Sequence, residues 1–179
     1  LRLPLLVLSI SFLTACSVAS NYPSAMSETW HDYKSWFLAT PEPTTGDPTG
    51  LLDDVHEGND AYRVIYVNAV GEAVNKGEAA FPYPEGTVLV KETFKNRAAW
   101  ENQSGAALTV MVKLPQGSSP GTGDWEYVNG AMGIGFLRGA EDTRWGNFCG
   151  GCHLRAYATD YNFINSRFYE SHSVSLLIR

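Results

Sequence analysis

Gly86-Thr87-Val88-Leu89-Val90-Lys91-Glu92-Thr93-Phe94 is rich in β-branched and aromatic residues and follows the turn Tyr83-Pro84-Glu85-Gly86, so it reads as a strand. In an alternating strand Leu89, Lys91 and Thr93 share one face, while Val88, Val90 and Glu92 share the other. Similar stretches lie on either side. Tyr62 to Asn68 ends at a turn near Gly71, Leu108 to Leu114 closes on the Pro/Gly/Ser loop 115–123, Trp125 to Asn129 forms another, and Gly135 to Arg138 a short last one. Strands of this length, separated by turn residues, predict a mainly β domain built on an antiparallel sheet. Before them, Ser27 is expected to cap a short N-terminal helix. Trp30, Tyr33, Trp36 and Phe37 repeat along it at helical spacing, and it ends at Pro41. That aromatic stripe reads as core packing. Residues 41–60, rich in Pro, Thr, Gly and Asp, read as a long connection.

After the strands comes Cys149-Gly150-Gly151-Cys152-His153. C-x-x-C-H is the attachment signature of covalent c-type haem. Two thiols three residues apart can each add across a porphyrin vinyl group, and the next imidazole then falls beneath the iron as its proximal ligand. Cys149, Cys152 and His153 are therefore the expected cofactor-binding residues, with His153 the metal ligand of one covalent haem c. A redox dithiol and half a zinc site share part of the pattern. A zinc ribbon needs a second Cys pair, and the chain has three cysteines in all; a dithiol motif needs no His after it.

The third cysteine, Cys16, ends a different motif. Arg2 precedes the apolar run Leu3 to Leu13, which is too short for the roughly 20 residues a membrane span requires, and Leu13-Thr14-Ala15-Cys16 follows. This looks like the lipobox of bacterial lipoproteins, in which the Cys is acylated and becomes the mature N-terminus. An ordinary signal peptide that contains a Cys is the alternative. The expected layout is a signal peptide over 1–15, a tether over 16–27 and one haem domain over 28–179. The domain is expected to be exported and lipid-anchored to a bacterial membrane, the outer one since no Asp follows Cys16, facing the periplasm. Haem attachment to C-x-x-C-H takes place in that same compartment, so the two motifs agree.

Composition narrows the function. The whole chain of 179 residues has a net charge of −6, and loss of Arg2 makes the mature protein more acidic still. Such a surface argues against nucleic acid and against a polybasic membrane patch. Aromatic residues make up 12%, which suits a small domain around a large apolar cofactor. The order of elements also excludes the commonest cytochrome c plan, where the motif comes early and a downstream Met is the sixth ligand. The methionines here are Met26, Met111 and Met132, none of them after His153.

Several blocks carry a more specific likeness. They are Tyr33-Lys34-Ser35-Trp36 with Pro41 and Pro43, Arg63 to Asn68, Tyr83 to Glu92, Val110-Met111-Val112-Lys113, Gly123 to Tyr127, and Cys149 to His153 followed by Asp160 and Phe163. In these the chain resembles the cytochrome P-460 family, which includes the cytochromes c′-beta. The resemblance implies a mainly antiparallel β fold carrying one five-coordinate haem, often in a homodimer. It also implies a nitrogen-oxide ligand or substrate, hydroxylamine or nitric oxide, and a redox partner protein. In the P-460 enzymes a Lys at the position of Lys91 forms an extra bond from its nitrogen to the porphyrin edge, which makes Lys91 the candidate catalytic residue. Read from the strand alone, an ammonium beside Leu89 could equally snorkel to solvent.

Those enzymes also use a distal carboxylate. The matching strand here, Leu108-Thr109-Val110-Met111-Val112, has none, and Val110 or a close neighbour is expected over the iron. Asp124 and Glu126 are possible substitutes, although loop acids are commonly exposed. His31, His56 and His172 could close the sixth site. Three functions follow: a haem oxidoreductase acting on hydroxylamine or nitric oxide, a non-catalytic nitric oxide binding protein of the c′-beta type, and a periplasmic electron carrier.

Overall fold

The computed structural model describes residues 30–52, 61–130 and 137–168. Its strands are β1 (Phe37–Leu38), β2 (Tyr62–Val67), β3 (Val88–Phe94), β4 (Ala107–Lys113), β5 (Trp125–Asn129) and β6 (Leu137–Gly139). They form a single antiparallel sheet in chain order, so the mainly β expectation holds. The helices are α1 (Ala69–Lys76), α2 (Arg97–Glu101) and α3 (Arg144–His153). Among the described residues no helix is long and apolar enough to cross a membrane.

Cross-strand register sorts the side chains into two faces. Ile65 pairs with Lys91, Lys91 with Thr109, and Thr109 with Asn129. Val67, Leu89, Met111 and Tyr127 form a parallel row on the same face. This face packs against the C-terminal segment through Ile164, Phe163, Tyr161 and Cys149. On the other face Val88, Val90, Val110 and Val128 pack against Trp30 and Tyr33. Both faces are covered, so β3 is apolar on both sides; its buried polar exception is Glu92, 2% exposed.

Glu92 is matched to its cover. Its carboxylate accepts from the Tyr33 hydroxyl at 2.6 Å and lies 3.1 Å from Lys34 Nζ, with the Tyr66 hydroxyl at 3.5 Å. A buried carboxylate is tolerable only when partnered in this way. Burial, reinforced by Glu92, raises the Tyr33 hydroxyl far above its ordinary value, so it stays a proton donor.

Two local expectations are corrected. The N-terminal helix is a single 3-10 turn, Tyr33–Ser35, and Phe37–Leu38 leaves it to pair with Tyr66 and Val67 at the sheet edge. Trp30 and Tyr33, three apart, already bury their rings with one turn. The free backbone edge of β2 then takes the next residues, through Ala39 N–H on Ile65 O and Ile65 N–H on Thr40 Oγ1, each at 2.8 Å. Ser27, the expected cap, lies outside the described residues. The turn near Gly71 is in fact helix α1. Asn68 caps it, and the same side chain accepts from Val88 N at 3.0 Å and donates to Gly86 O at 2.9 Å.

The turn at residues 33–35 thus closes the far face mainly through one charge-assisted bond. Tyr33→Phe is expected to cost about 1.5–3 kcal/mol, the range for a buried hydrogen bond to a charged group. Urea unfolding of the variant checks this, and an unchanged midpoint would refute it.

Candidate functional site

The C-x-x-C-H motif lies on α3. Thr143 starts the helix, its Oγ1 accepting from Gly146 N at 2.9 Å. Ten residues make a marginal helix alone, so packing must hold it. Gly146 and Gly150, one turn apart, provide the contact surface. A Cβ at Gly146 would overlap the Ala140 carbonyl, and one at Gly150 would sit 2.9 Å from the Thr122 side chain. This close seat sets Cys149 and His153 against the sheet. Cys149 is half-buried against the core, and Cys152 is exposed.

His153 is the last residue of α3. Its ring stands between Tyr127 and Phe163, with centroids 5.1 Å away on each side. Nδ1 meets the carbonyl oxygen of Tyr161 at 2.7 Å, so Nδ1 carries the hydrogen and Nε2 keeps its lone pair. Burial pushes its pKa down to about 4 against the opposing pull of that carbonyl, and the ring is neutral at ordinary pH. A neutral imidazole whose second nitrogen is fixed by a backbone carbonyl is the usual form of a metal-ligating His.

All three motif residues border one cavity of about 450 Å³ between α3, the sheet and the C-terminal segment. Its apolar walls include Ile65, Leu89, Met111 and Phe163. Lys91 borders it too. Burial, and then the charge of Arg63, push the Lys91 amine down to about 8, while burial raises the Cys149 thiol to about 11. Lys91, half-buried, thus lines the same cavity as the motif, within electrostatic reach of Cys149.

Val110 is one of three consecutive β4 residues that border the cavity, with Thr109 and Met111. Its side chain is 1% exposed and packs with Trp30, Tyr33 and Val90 on the far face. Strand alternation turns the side chains of its neighbours Thr109 and Met111 to the opposite face, that of Lys91 and Leu89. Asp124 binds its own loop, accepting from Gly117 N at 2.9 Å and Ser119 N at 2.8 Å, and Glu126 pairs with Arg138. Neither borders the cavity. His31 is exposed and away from it; Cys16, His56 and His172 lie outside the described residues.

Other cavity residues had escaped the sequence reading. Arg63 sits on the same face as Lys91, a placement visible only once β2 is paired with β3. The connection after Pro43 is more than a linker: Thr44, Asp47, Thr49 and Leu52 border the cavity. Burial alone would raise the Asp47 carboxyl. The Leu52 N–H at 2.8 Å and the Thr49 hydroxyl at 3.0 Å outweigh it and hold the group below its usual range.

A second polar centre ties the motif to the sheet. Lys113 Nζ lies 2.7 and 2.8 Å from the two carboxylate oxygens of Asp160 and donates to Gly123 O at 2.7 Å. Asp160 also accepts from Tyr83 N at 2.8 Å, and its carbonyl accepts from Trp125 Nε1 at 2.9 Å. Asp160 and Tyr161 have φ of 50° and 65°, both left-handed. Each costs roughly 1–2 kcal/mol for a residue with a Cβ, so the surroundings must impose them.

The residues fit a haem. Two thiols and a lone-pair nitrogen meet at one wall of a largely apolar cavity within the usual size range for cofactor sites. Tyr127 Oη and Trp145 Nε1, on that wall, are buried without a hydrogen-bond partner, and so are free for polar atoms of an occupant. Among the described residues no three His, Cys, Asp or Glu side chains gather as a metal-ion site would require, which does not suit zinc. Residues 30–164 match the sequence model of the Cytochrome P460 family. The chain belongs to the cytochrome P460 family. No curated protein matches it. Family membership implies a haem cofactor, and with it iron and nitrogen-oxide chemistry of the c-type cytochromes.

Proposed function

We propose that the protein is a mono-haem c-type cytochrome with an open distal site, acting in redox chemistry on hydroxylamine or nitric oxide. Cys149 and Cys152 hold the ring through thioethers, and His153 holds the iron through Nε2. The observation that carries this is the convergence of the three motif residues on one apolar cavity, with Lys91 on its opposing sheet wall. A bound haem would supply the iron for electron exchange with a small nitrogen oxide. The protein's own side chains do the rest. Tyr161 O keeps the His153 tautomer fixed, Ile65, Leu89 and Met111 would keep water from the ring, and Lys91 would stand at the ring edge, where the P-460 enzymes carry their extra link.

Non-catalytic nitric oxide binding is the second reading, and the acids favour it. Thr109 and Met111 give β4 no carboxylate at the cavity, and Asp47 is too weak a base, tied up in its own loop, to move protons efficiently. Electron transfer alone, with both axial positions filled, would need a ligand such as Met111. We infer also that the protein is exported and anchored by lipid on Cys16, exchanging electrons with a redox partner in the periplasm. The supporting feature is Leu13-Thr14-Ala15-Cys16 behind its apolar run.

Three outcomes are expected. Acidic-acetone extraction should leave the haem on the polypeptide, with the intact mass raised by one haem and the gain lost in the Cys149→Ser/Cys152→Ser variant; a bare polypeptide mass refutes attachment. The ferrous Soret band of the wild type should lie to the red of Lys91→Ala, and coincident bands would mean that no ring link forms, leaving the nitric oxide binding reading. On fractionation the wild type should partition with membranes and Cys16→Ala should not, since several acyl chains at about 0.8 kcal/mol per buried methylene anchor stably. Equal recovery of both in the soluble fraction would count against the anchor.

A further inference from the structure

We propose that the buried Lys113–Asp160 pair is a positioning device for the proximal ligand, setting the strength of the bond between His153 and the Tyr161 carbonyl and thereby the electronic state of the iron. The inference rests on His153 being the haem ligand. Four observations lead to it. Tyr161, whose carbonyl takes the Nδ1 hydrogen of His153 at 2.7 Å, directly follows Asp160. Both residues have left-handed φ, which Asp adopts readily but a bulky residue such as Tyr161 holds when its surroundings impose it. What imposes it here is Asp160, which is bound at every polar atom: Lys113 Nζ and Tyr83 N on the carboxylate, Trp125 Nε1 on the carbonyl, and its own N–H on Tyr157 O at 3.1 Å. Finally, the partners come from the sheet, Lys113 from the end of β4 and Trp125 from the start of β5, so the carbonyl that orients His153 is referenced to the same sheet that carries Lys91.

The chemistry gives the direction of the effect. A firm Nδ1–H bond to a carbonyl gives the imidazole more anionic character, which strengthens its bond to iron and favours the ferric state. If the 160–161 segment relaxes from its left-handed geometry, the carbonyl turns away and both effects weaken. Removing only one charge would leave the other buried and alone, with unfolding the natural outcome. Removing both avoids this. In Lys113→Met/Asp160→Asn the net charge near the iron is unchanged, Asn still accepts from Tyr83 N, and Asn tolerates a positive φ. Any shift in potential then reports the position of the carbonyl and not a lost charge.

The experiment is resonance Raman spectroscopy and potentiometry on the ferrous holoprotein. The wild type should show an iron–histidine stretch; its absence would overturn the reading of an open site with His153 as the one axial ligand, and this inference with it. In the double variant the stretch is expected at lower frequency and the reduction potential at a more positive value. Trp125→Phe, which removes the indole hydrogen bond to Asp160 and part of the ring under Lys113 Nζ, is expected to shift both the same way by less, and it decides the matter if the double variant does not fold. A wild-type iron–histidine stretch with neither frequency nor potential moved in the folded variants would show the pair to be structural only and overturn the proposal.

Discussion

The ion pair between Lys113 and Asp160 joins two parts of the chain that must meet for a site to exist. One is the sheet, which brings Lys91, Leu89 and Met111 to a common face; the other is the segment after α3, which carries the carbonyl that orients His153. Neither part makes a cavity alone. Removing a single partner from such a buried pair leaves a buried charge alone and costs about 3–5 kcal/mol, so the two parts stay joined at this point. Asn162 continues the seam. Its amide donates to the Tyr83 hydroxyl at 2.8 Å and to Ile164 O at 3.0 Å, and Asn75 of α1 donates to the same two acceptors.

The two faces of the sheet divide the work. The far face is a conventional core of valines capped by Trp30 and Tyr33, with a matched carboxylate at Glu92. The near face is only partly filled by protein, and its gaps coincide with the polar residues Lys91, Arg63 and Thr109. Lys91 and Glu92 are adjacent in the chain and point to opposite faces. The amine is enclosed beside another cation and pushed toward neutrality, while the carboxylate is paired and hydrogen-bonded. One strand thus sends a cavity-lining amine to one face and a paired carboxylate to the other by its alternation alone.

The strands β2 to β6 and the ligand motif were legible in the sequence because their signals are local: β-branched alternation, turn residues, and C-x-x-C-H. The misreadings have physical causes too. Phe37 fits a helical stripe with Trp30, Tyr33 and Trp36, but the open edge of β2 offers it backbone hydrogen bonds, which the spacing of side chains does not reveal. Helix α1 is too short to show a clear period, and its cap, Asn68, reads equally well as a turn residue. Val110 and its neighbours Thr109 and Met111 all border the cavity, but alternation sends their side chains to opposite faces, a distinction a sequence block alone does not fix. Asp160 and Lys113, 47 residues apart, were visible only as pieces of a family pattern. Their pairing is a property of the fold.

The most direct measurement is an anomalous difference map at the iron absorption edge from crystals of the holoprotein. The expected result is one iron peak inside the cavity, bonded to Nε2 of His153, with Nδ1 still on Tyr161 O, Lys91 against the ring and no second side chain on the metal. An iron outside that cavity, or one with Met111 or a second histidine opposite His153, would contradict it.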